Sequence, residues 1–278
     1  MSLSQQSILV TAARRGRQLV KTAVNERASR LLQREARWLR ELESFAELEG
    51  QVPRVLDEGT DADGRRYLVM SAVPAGRSPQ KAAFTAAHAR FLASLGKARF
   101  RATDFEVSGC CQWLQRGLHR LESGATPKAR AMLEQAYHDC ETALLYWTGP
   151  YVLSQGDFAP WNIRDLGSQL FVCEWGNART EASPLDDVLH YLMVQQALGS
   201  RAVSAAALQA AMRRAGAFAL EAYPEWSWRP QVIGALTLVY LLGVVLGRSL
   251  AAGRLDRDDP VTGSYWKLVE KRSAWMPA

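Results

Sequence analysis

Leu153-Ser154-Gln155-Gly156-Asp157-Phe158-Ala159-Pro160-Trp161-Asn162-Ile163 carries an apolar strand into a polar elbow. Tyr151-Val152-Leu153 predicts the strand. The elbow presents a carboxylate at Asp157 and, five residues later, a carboxamide at Asn162. Pro160 has no N–H and biases Ala159 away from helical angles, so a helix cannot run through. The result is a rigid loop holding two oxygen-bearing groups at a fixed spacing.

Working outward, Asn162-Ile163-Arg164 predicts a strand, Asp165-Leu166-Gly167-Ser168 a turn, and Gln169 to Cys173 a second strand that ends at Glu174-Trp175. A hairpin turning near Gly167 returns Glu174 to the open end where Asn162 lies. Asp157, Asn162 and Glu174 are therefore expected to converge. Two carboxylates and a carboxamide suit a hard, octahedral cation that keeps some of its water, namely Mg²⁺. In phosphoryl transfer one carboxylate orients or deprotonates the attacking hydroxyl while a nearby Asn binds magnesium, and D-x-x-x-x-N is the spacing of the protein kinase catalytic loop.

The string LSQGDFAPWNI, followed by LFVCEWGNA and SPLDDVLHYL, resembles the aminoglycoside phosphotransferase and choline kinase-like branch of the protein kinase-like fold. Members carry His-Gly-Asp-x-x-x-x-Asn, then an apolar strand ending in an acid, then an Asp opening a helix. The resemblance implies that Asp157 is the catalytic carboxylate and that Asn162 and Glu174 bind the metal. Asp187 matches the helix-opening Asp. Gln155 stands where the family has His, and an amide can still hold the loop by hydrogen bonds. Glu174 stands where it has Asp, one methylene longer.

Upstream, Ser7 to Ala12 and Gln18 to Val24 predict two strands around the turn Arg14-Arg15-Gly16-Arg17. Lys21 shares a strand face with Leu19 and Ala23, a partly apolar surface. A helix is expected from Glu26 to Leu48, capped by Asn25. Glu35 falls inside its apolar stripe, between Leu31/Leu32 and Trp38/Leu39. A carboxylate there must be paired. Lys21 is the candidate, as in the strand-Lys to helix-Glu pair of kinases, where the lysine reaches the nucleotide phosphates. Arg34 or Arg37 is the alternative partner. Strands at Pro53–Glu58 and Arg66–Met70 follow, joined by a turn at Asp61–Gly64. By the resemblance, Met70, Ser71, Ala72 and Val73 form the hinge whose backbone binds adenine.

The expected architecture is α+β and two-lobed, of the protein kinase-like fold. A small antiparallel-sheet N-lobe with one helix covers residues 1–73. A larger, mainly helical C-lobe with the catalytic hairpin covers 74–278. Kinase-like folds cover the phosphates with a glycine-containing hairpin before the strand that precedes the lysine strand. No glycine precedes Ser7, so that cover is expected to be missing.

The 278 residues are 48% hydrophobic and 22% charged, which suits an ordinary globular chain with a sizeable core. The net charge of +6 suits phosphate-bearing ligands, yet no aromatic-interleaved basic stripe points to nucleic acid. Cys110, Cys111, Cys140 and Cys173 form no C-x-x-C pair and read as reduced thiols, with a cytoplasmic location. The apolar run Val232–Leu246, 15 residues, falls short of the ~20 that span a membrane and reads as a buried helix. The expected activity is an ATP- and Mg²⁺-dependent phosphotransferase acting on a hydroxyl of a small molecule. Glu174 and the absent glycine cover keep a second reading open: a pseudokinase that binds nucleotide or a partner without turnover.

Overall fold

The computed structural model describes residues 6–13, 16–72, 83–121, 124–199 and 202–277. The chain forms two compact units, each assembled from two separate stretches. The first comprises residues 1–98 and 155–179, the second 99–154 and 180–278.

The first unit opens with β1 (Gln6–Ala13) and β2 (Gly16–Ala23), an antiparallel hairpin in which Ala13 pairs with Gly16 and Gln6 with Ala23. α1 (Glu26–Leu42) follows, with the Asn25 side chain accepting the Ala28 N–H at 2.8 Å as expected of an N-cap. Its buried positions are Ala28, Leu32, Glu35, Ala36, Leu39 and Leu42. The helix ends six residues earlier than the apolar pattern suggests. Ser44 Oγ donates to the Glu41 carbonyl at 2.7 Å, giving the backbone a local alternative to the helix. A separate 3₁₀ turn, Ala46–Leu48, supplies the last apolar contacts. β3 (Val55–Thr60) and β4 (Arg66–Ser71) complete a four-stranded antiparallel sheet of order β1-β2-β4-β3. α2 (Ala86–Ala98) closes this stretch. The expected lobe boundary near residues 73–76 lies outside the described residues.

The second unit begins with β5 (Phe100–Asp104), α3 (Gly109–Arg120), α4 (Pro127–Leu144) and β6 (Thr148–Ser154). β5 pairs antiparallel with β6, Phe100 opposite Val152. The sequence does not announce β5, because almost all of its side chains are exposed and no buried alternation marks it. The chain then returns to the first unit for the hairpin of β7 (Ile163–Asp165) and β8 (Leu170–Val172), with Ile163 opposite Val172.

β9 (Arg179–Ala182) joins β6 on its other side. Four helices end the chain: α5 (Asp186–Ala197), α6 (Ala205–Ala222), α7 (Pro230–Ala252) and α8 (Pro260–Glu270). α7 is long and apolar enough to cross a membrane by composition alone, but its residues Val232–Gly243 are buried within the second unit. The four cysteines are buried thiols with no disulfide among them. The architecture is α+β, with a small antiparallel sheet and a larger helical part.

Candidate active site

Apart from Asp187, every sequence-derived candidate that is described lies in the first unit, and the chemistry there is built from two contacts. The first joins the ends of the loop. Asn162 Nδ2 donates to the Asp157 carboxylate at 2.9 Å and to the Asp157 main-chain oxygen at 2.8 Å. Asn162 sits in the 3₁₀ turn Pro160–Asn162, which Pro160 opens at the position where its missing N–H costs nothing. Asp157 is half-buried and Asn162 buried.

Gln155, at the position of the family's His, is the clamp under this loop. Its side-chain oxygen accepts the Asp157 N–H at 2.8 Å, and its Nε2 donates to the carbonyls of Cys173 (2.8 Å) and Glu174 (2.7 Å). Cys173 N–H in turn donates to the Asn162 carbonyl at 2.9 Å. One amide therefore fixes the elbow to the end of β8. Behind it, Phe158 is fully buried and stacks on Phe91 of α2 with ring centroids 5.9 Å apart. His88, also against Phe158, has its pKa pushed down to about 4 by burial, so it stays a neutral packing residue at neutral pH.

Gly156 makes the elbow possible. Its φ is +81°, and a Cβ there would lie 2.3 Å from the Asn177 carbonyl oxygen. Gly156→Ala is expected to cost about 1–3 kcal/mol and to displace Asp157. Urea denaturation checks this, and an unchanged midpoint would show that the elbow tolerates a side chain.

The second contact is an ion triad. Lys21 on β2 is fully buried, with Nζ 2.9 Å from both carboxylate oxygens of Glu35 on α1 and 2.7 Å from Glu174 Oε1. Arg34 and Arg37, the alternative partners, do not hold Glu35. Glu35 also accepts the Trp175 N–H at 3.2 Å, which ties α1 to the end of the hairpin. Two carboxylates share one ammonium, so the triad carries a net negative charge. The Lys21 pKa is raised, because Glu35 and Glu174 together outweigh its burial. The Glu35 pKa is raised as well, because burial outweighs the attraction of Lys21 and Glu174 adds repulsion.

Glu174 reaches Lys21 through its own backbone turn. It has φ 62° and ψ 60°, left-handed angles unusual for Glu, and that turn aims its carboxylate at Lys21. Among the described residues, no group of three or more His, Cys, Asp or Glu side chains could hold a metal ion. The donor types still fit a hard cation. Asn162 spends Nδ2 on Asp157 and keeps its amide oxygen, and the Glu174 side chain is 28% exposed.

At the expected hinge, Met70 is buried in β4 between β2 and β3, opposite Leu19 and Val55. Ser71 N–H donates to the Arg54 carbonyl at 2.9 Å, so it is engaged in the sheet. Ala72 follows the strand, and Val73 lies outside the described residues. In the second unit Asp187 accepts from Ser154 Oγ at 2.9 Å. The α5 cap residue is Leu185, so Asp186 and Asp187 occupy the first helical turn rather than the capping position.

Residues 2–164, more than half of the chain, match the model of the phosphotransferase enzyme family APH. The chain belongs to this family. The matched stretch contains Lys21, Glu35, Asp157 and Asn162 and stops before Glu174. No curated protein matches the chain in sequence. Several solved structures share the phosphotransferase fold. A thermostable mutant of aminoglycoside phosphotransferase APH(4)-Ia, in ternary complex with ADP and hygromycin B, is 14% identical. The match covers 99% of this chain and 95% of that one, with TM-score 0.64. A putative fructosamine-3-kinase from Haemophilus somnus is 15% identical over 100% of this chain and 90% of that one, TM-score 0.58. The amicoumacin kinase hAmiN, in complex with AMP-PNP, Ca²⁺ and Ami, is 12% identical over 97% and 86%, TM-score 0.58. These likenesses are likenesses of fold. They establish the kinase-like architecture of this phosphotransferase family member.

Proposed function

We propose that this chain transfers the γ-phosphoryl group of ATP to a hydroxyl of a small molecule, with Mg²⁺ as cofactor. One observation carries the reading. Asp157 and Asn162 touch across the loop, and Gln155 locks that loop to the strand end whose Glu174, with Glu35, holds the buried Lys21. The nucleotides, hygromycin B and Ami in the complexes of the structural relatives support a nucleotide and a small acceptor.

In the proposed reaction Asp157 accepts a hydrogen bond from the acceptor hydroxyl and orients its oxygen. That oxygen forms a bond to the γ-phosphorus as the bond from phosphorus to the β,γ-bridging oxygen breaks. ADP leaves, and the hydroxyl proton passes to Asp157. The Asn162 amide fixes the direction of the Asp157 carboxylate. Lys21 offers its charge to the nucleotide phosphates, and Glu35 keeps its ammonium in place. Asn162 and Glu174 would hold Mg²⁺, which when bound offsets charge on the phosphate oxygens. Met70 to Val73 are the proposed adenine-facing segment. Four cysteines outside any disulfide fit a cytoplasmic setting, where ATP is also supplied.

The Lys21–Glu174 contact favours a second reading, a nucleotide- or partner-binding module without turnover, because Glu174 occupies the lysine that phosphates need. Mg·ATP stabilisation and turnover over a panel of hydroxylated metabolites and aminoglycosides separate the two. Saturable stabilisation with turnover supports the enzyme; stabilisation with no product from any acceptor supports the module. Glu174→Asp is expected to lower the Mg²⁺ concentration that gives half-maximal ATP stabilisation. The shorter acid releases Lys21, and Asp tolerates left-handed angles better than Glu. An unchanged Mg²⁺ requirement would remove Glu174 from the metal site.

A further inference from the structure

α1 buries one face around Glu35 and turns another toward an open cavity of about 460 Å³. Gln33, Arg34, Arg37 and Arg40 line it from the helix, and Glu58 of β3 and Arg66 of β4 from the sheet. The volume falls in the range of small-ligand pockets, about 300–1,000 Å³. The lining is not that of an ordinary pocket, since four guanidinium groups face one carboxylate.

The single acid is already committed. Glu58 Oε1 lies 2.6 Å from Arg40 Nη1, so its charge is matched within the wall. Arg34 is held in place by donating to the Ala178 carbonyl at 3.1 Å, a bond that orients the guanidinium without cancelling its charge. Burial lowers the Arg34 pKa, and like-charge repulsion from Arg179 adds to it. Arg34 and Arg37 are three apart on α1, and so are Arg37 and Arg40, so like charges are stacked on one helix face. A wall of this kind is relieved by an anion.

We propose that this cavity is a binding site for a compact, multiply charged phosphate anion, distinct from the Lys21–Asp157 site. The charge left by Arg34, Arg37 and Arg66 calls for more than one negative charge. Guanidinium forks pair with phosphate oxygens through two parallel hydrogen bonds, and they shed water more readily than an ammonium does. The Gln33 amide adds a neutral donor on the same rim. Because Arg34 adjoins Glu35 in the chain, an occupied cavity braces the helix turn that holds Lys21.

The test is calorimetric titration of the full chain with inorganic tripolyphosphate, without Mg²⁺ or nucleotide. The expected result is saturable one-to-one binding that weakens with salt. In the Arg37→Gln/Arg66→Gln double variant it is expected to fall at least tenfold. Arg37→Lys, which keeps the charge and loses the fork, is expected to fall between the two. Thermal midpoints without ligand check that the variants fold; if the double variant does not, the Arg37→Gln single variant is read in its place. Absence of saturable binding, or equal affinity in wild type and variant, overturns the proposal. So does a hexaglutamate peptide that binds more tightly than tripolyphosphate, since that would make an acidic protein segment the occupant. None of the variants touches Lys21, Asp157, Asn162 or Glu174, so the result is independent of the phosphotransferase reading.

Discussion

Asp157→Asn is expected to lower phosphoryl transfer by about 10²–10⁴-fold, the range typical of a lost general base, while leaving the fold intact. The Asn162 amide donates to Asp157 Oδ2 and to its main-chain oxygen. An Asn at 157 still offers a side-chain oxygen to that amide, so the loop keeps its geometry and only the proton acceptor is lost. Asp157→Ala removes the side-chain acceptor as well and should cost a further ~1 kcal/mol of stability. The pair of variants separates chemistry from packing. Initial rates at saturating Mg·ATP, with denaturation midpoints alongside, provide the check. An Asn variant that retains more than about a tenth of the wild-type rate would leave Asp157 below the lower edge of that range and end its assignment as base.

Lys21→Met is expected to destabilise the fold by about 3–5 kcal/mol, the cost of leaving a buried charge unpaired. The burden falls on Glu35, which is 1% exposed, rather than on Glu174, which is 28% exposed and can hydrate. Adding Glu35→Met should recover much of the loss, because an apolar pair of similar volume replaces a buried ion pair at little net cost. The pH dependence has a definite sign. The folded pKa of Glu35 is raised above its ordinary 4.5 by burial, so its contribution is fully present below 4.5 and is lost as pH rises through the folded value. Without Lys21 the folded value rises further. The deficit of Lys21→Met should therefore shrink between pH 8 and pH 5. The Lys21 pKa is also raised, so the wild-type ammonium contributes at every pH below 10.5 and is lost only on going more alkaline than its folded value. Urea titrations at pH 5, 6.5 and 8 supply the measurement. A deficit that grows toward pH 5 would mean that Glu35 is not the group left stranded.

The Lys21–Glu35 pair was legible because burial leaves few options. A lysine on an apolar strand face and a glutamate on an apolar helix stripe each need a counter-charge, and pairing them satisfies both at once. The Asp157–Asn162 contact was legible for a different reason, since a proline-stiffened loop sets the separation of its own ends. The stop of α1 at Leu42 was not, because an apolar stripe runs on past the point where Ser44 diverts the backbone. β5 was not, because its exposed side chains leave no period to read. The arginines of α1 belong to no motif in the chain, and only β3 and β4 make them one wall of a cavity.

The sequence by itself determined the family, through its matching motifs, and most of the elements, which follow from local periodicity and turn chemistry. Tertiary structure alone decided that a second acid, Glu174, joins Glu35 at Lys21. Glu174 lies 153 residues away along the chain, and it reaches the ammonium because the β7–β8 register, the Gln155 clamp and a left-handed turn aim it there. Register and handedness of that kind are settled by contacts between distant segments, and no local pattern of residues encodes them.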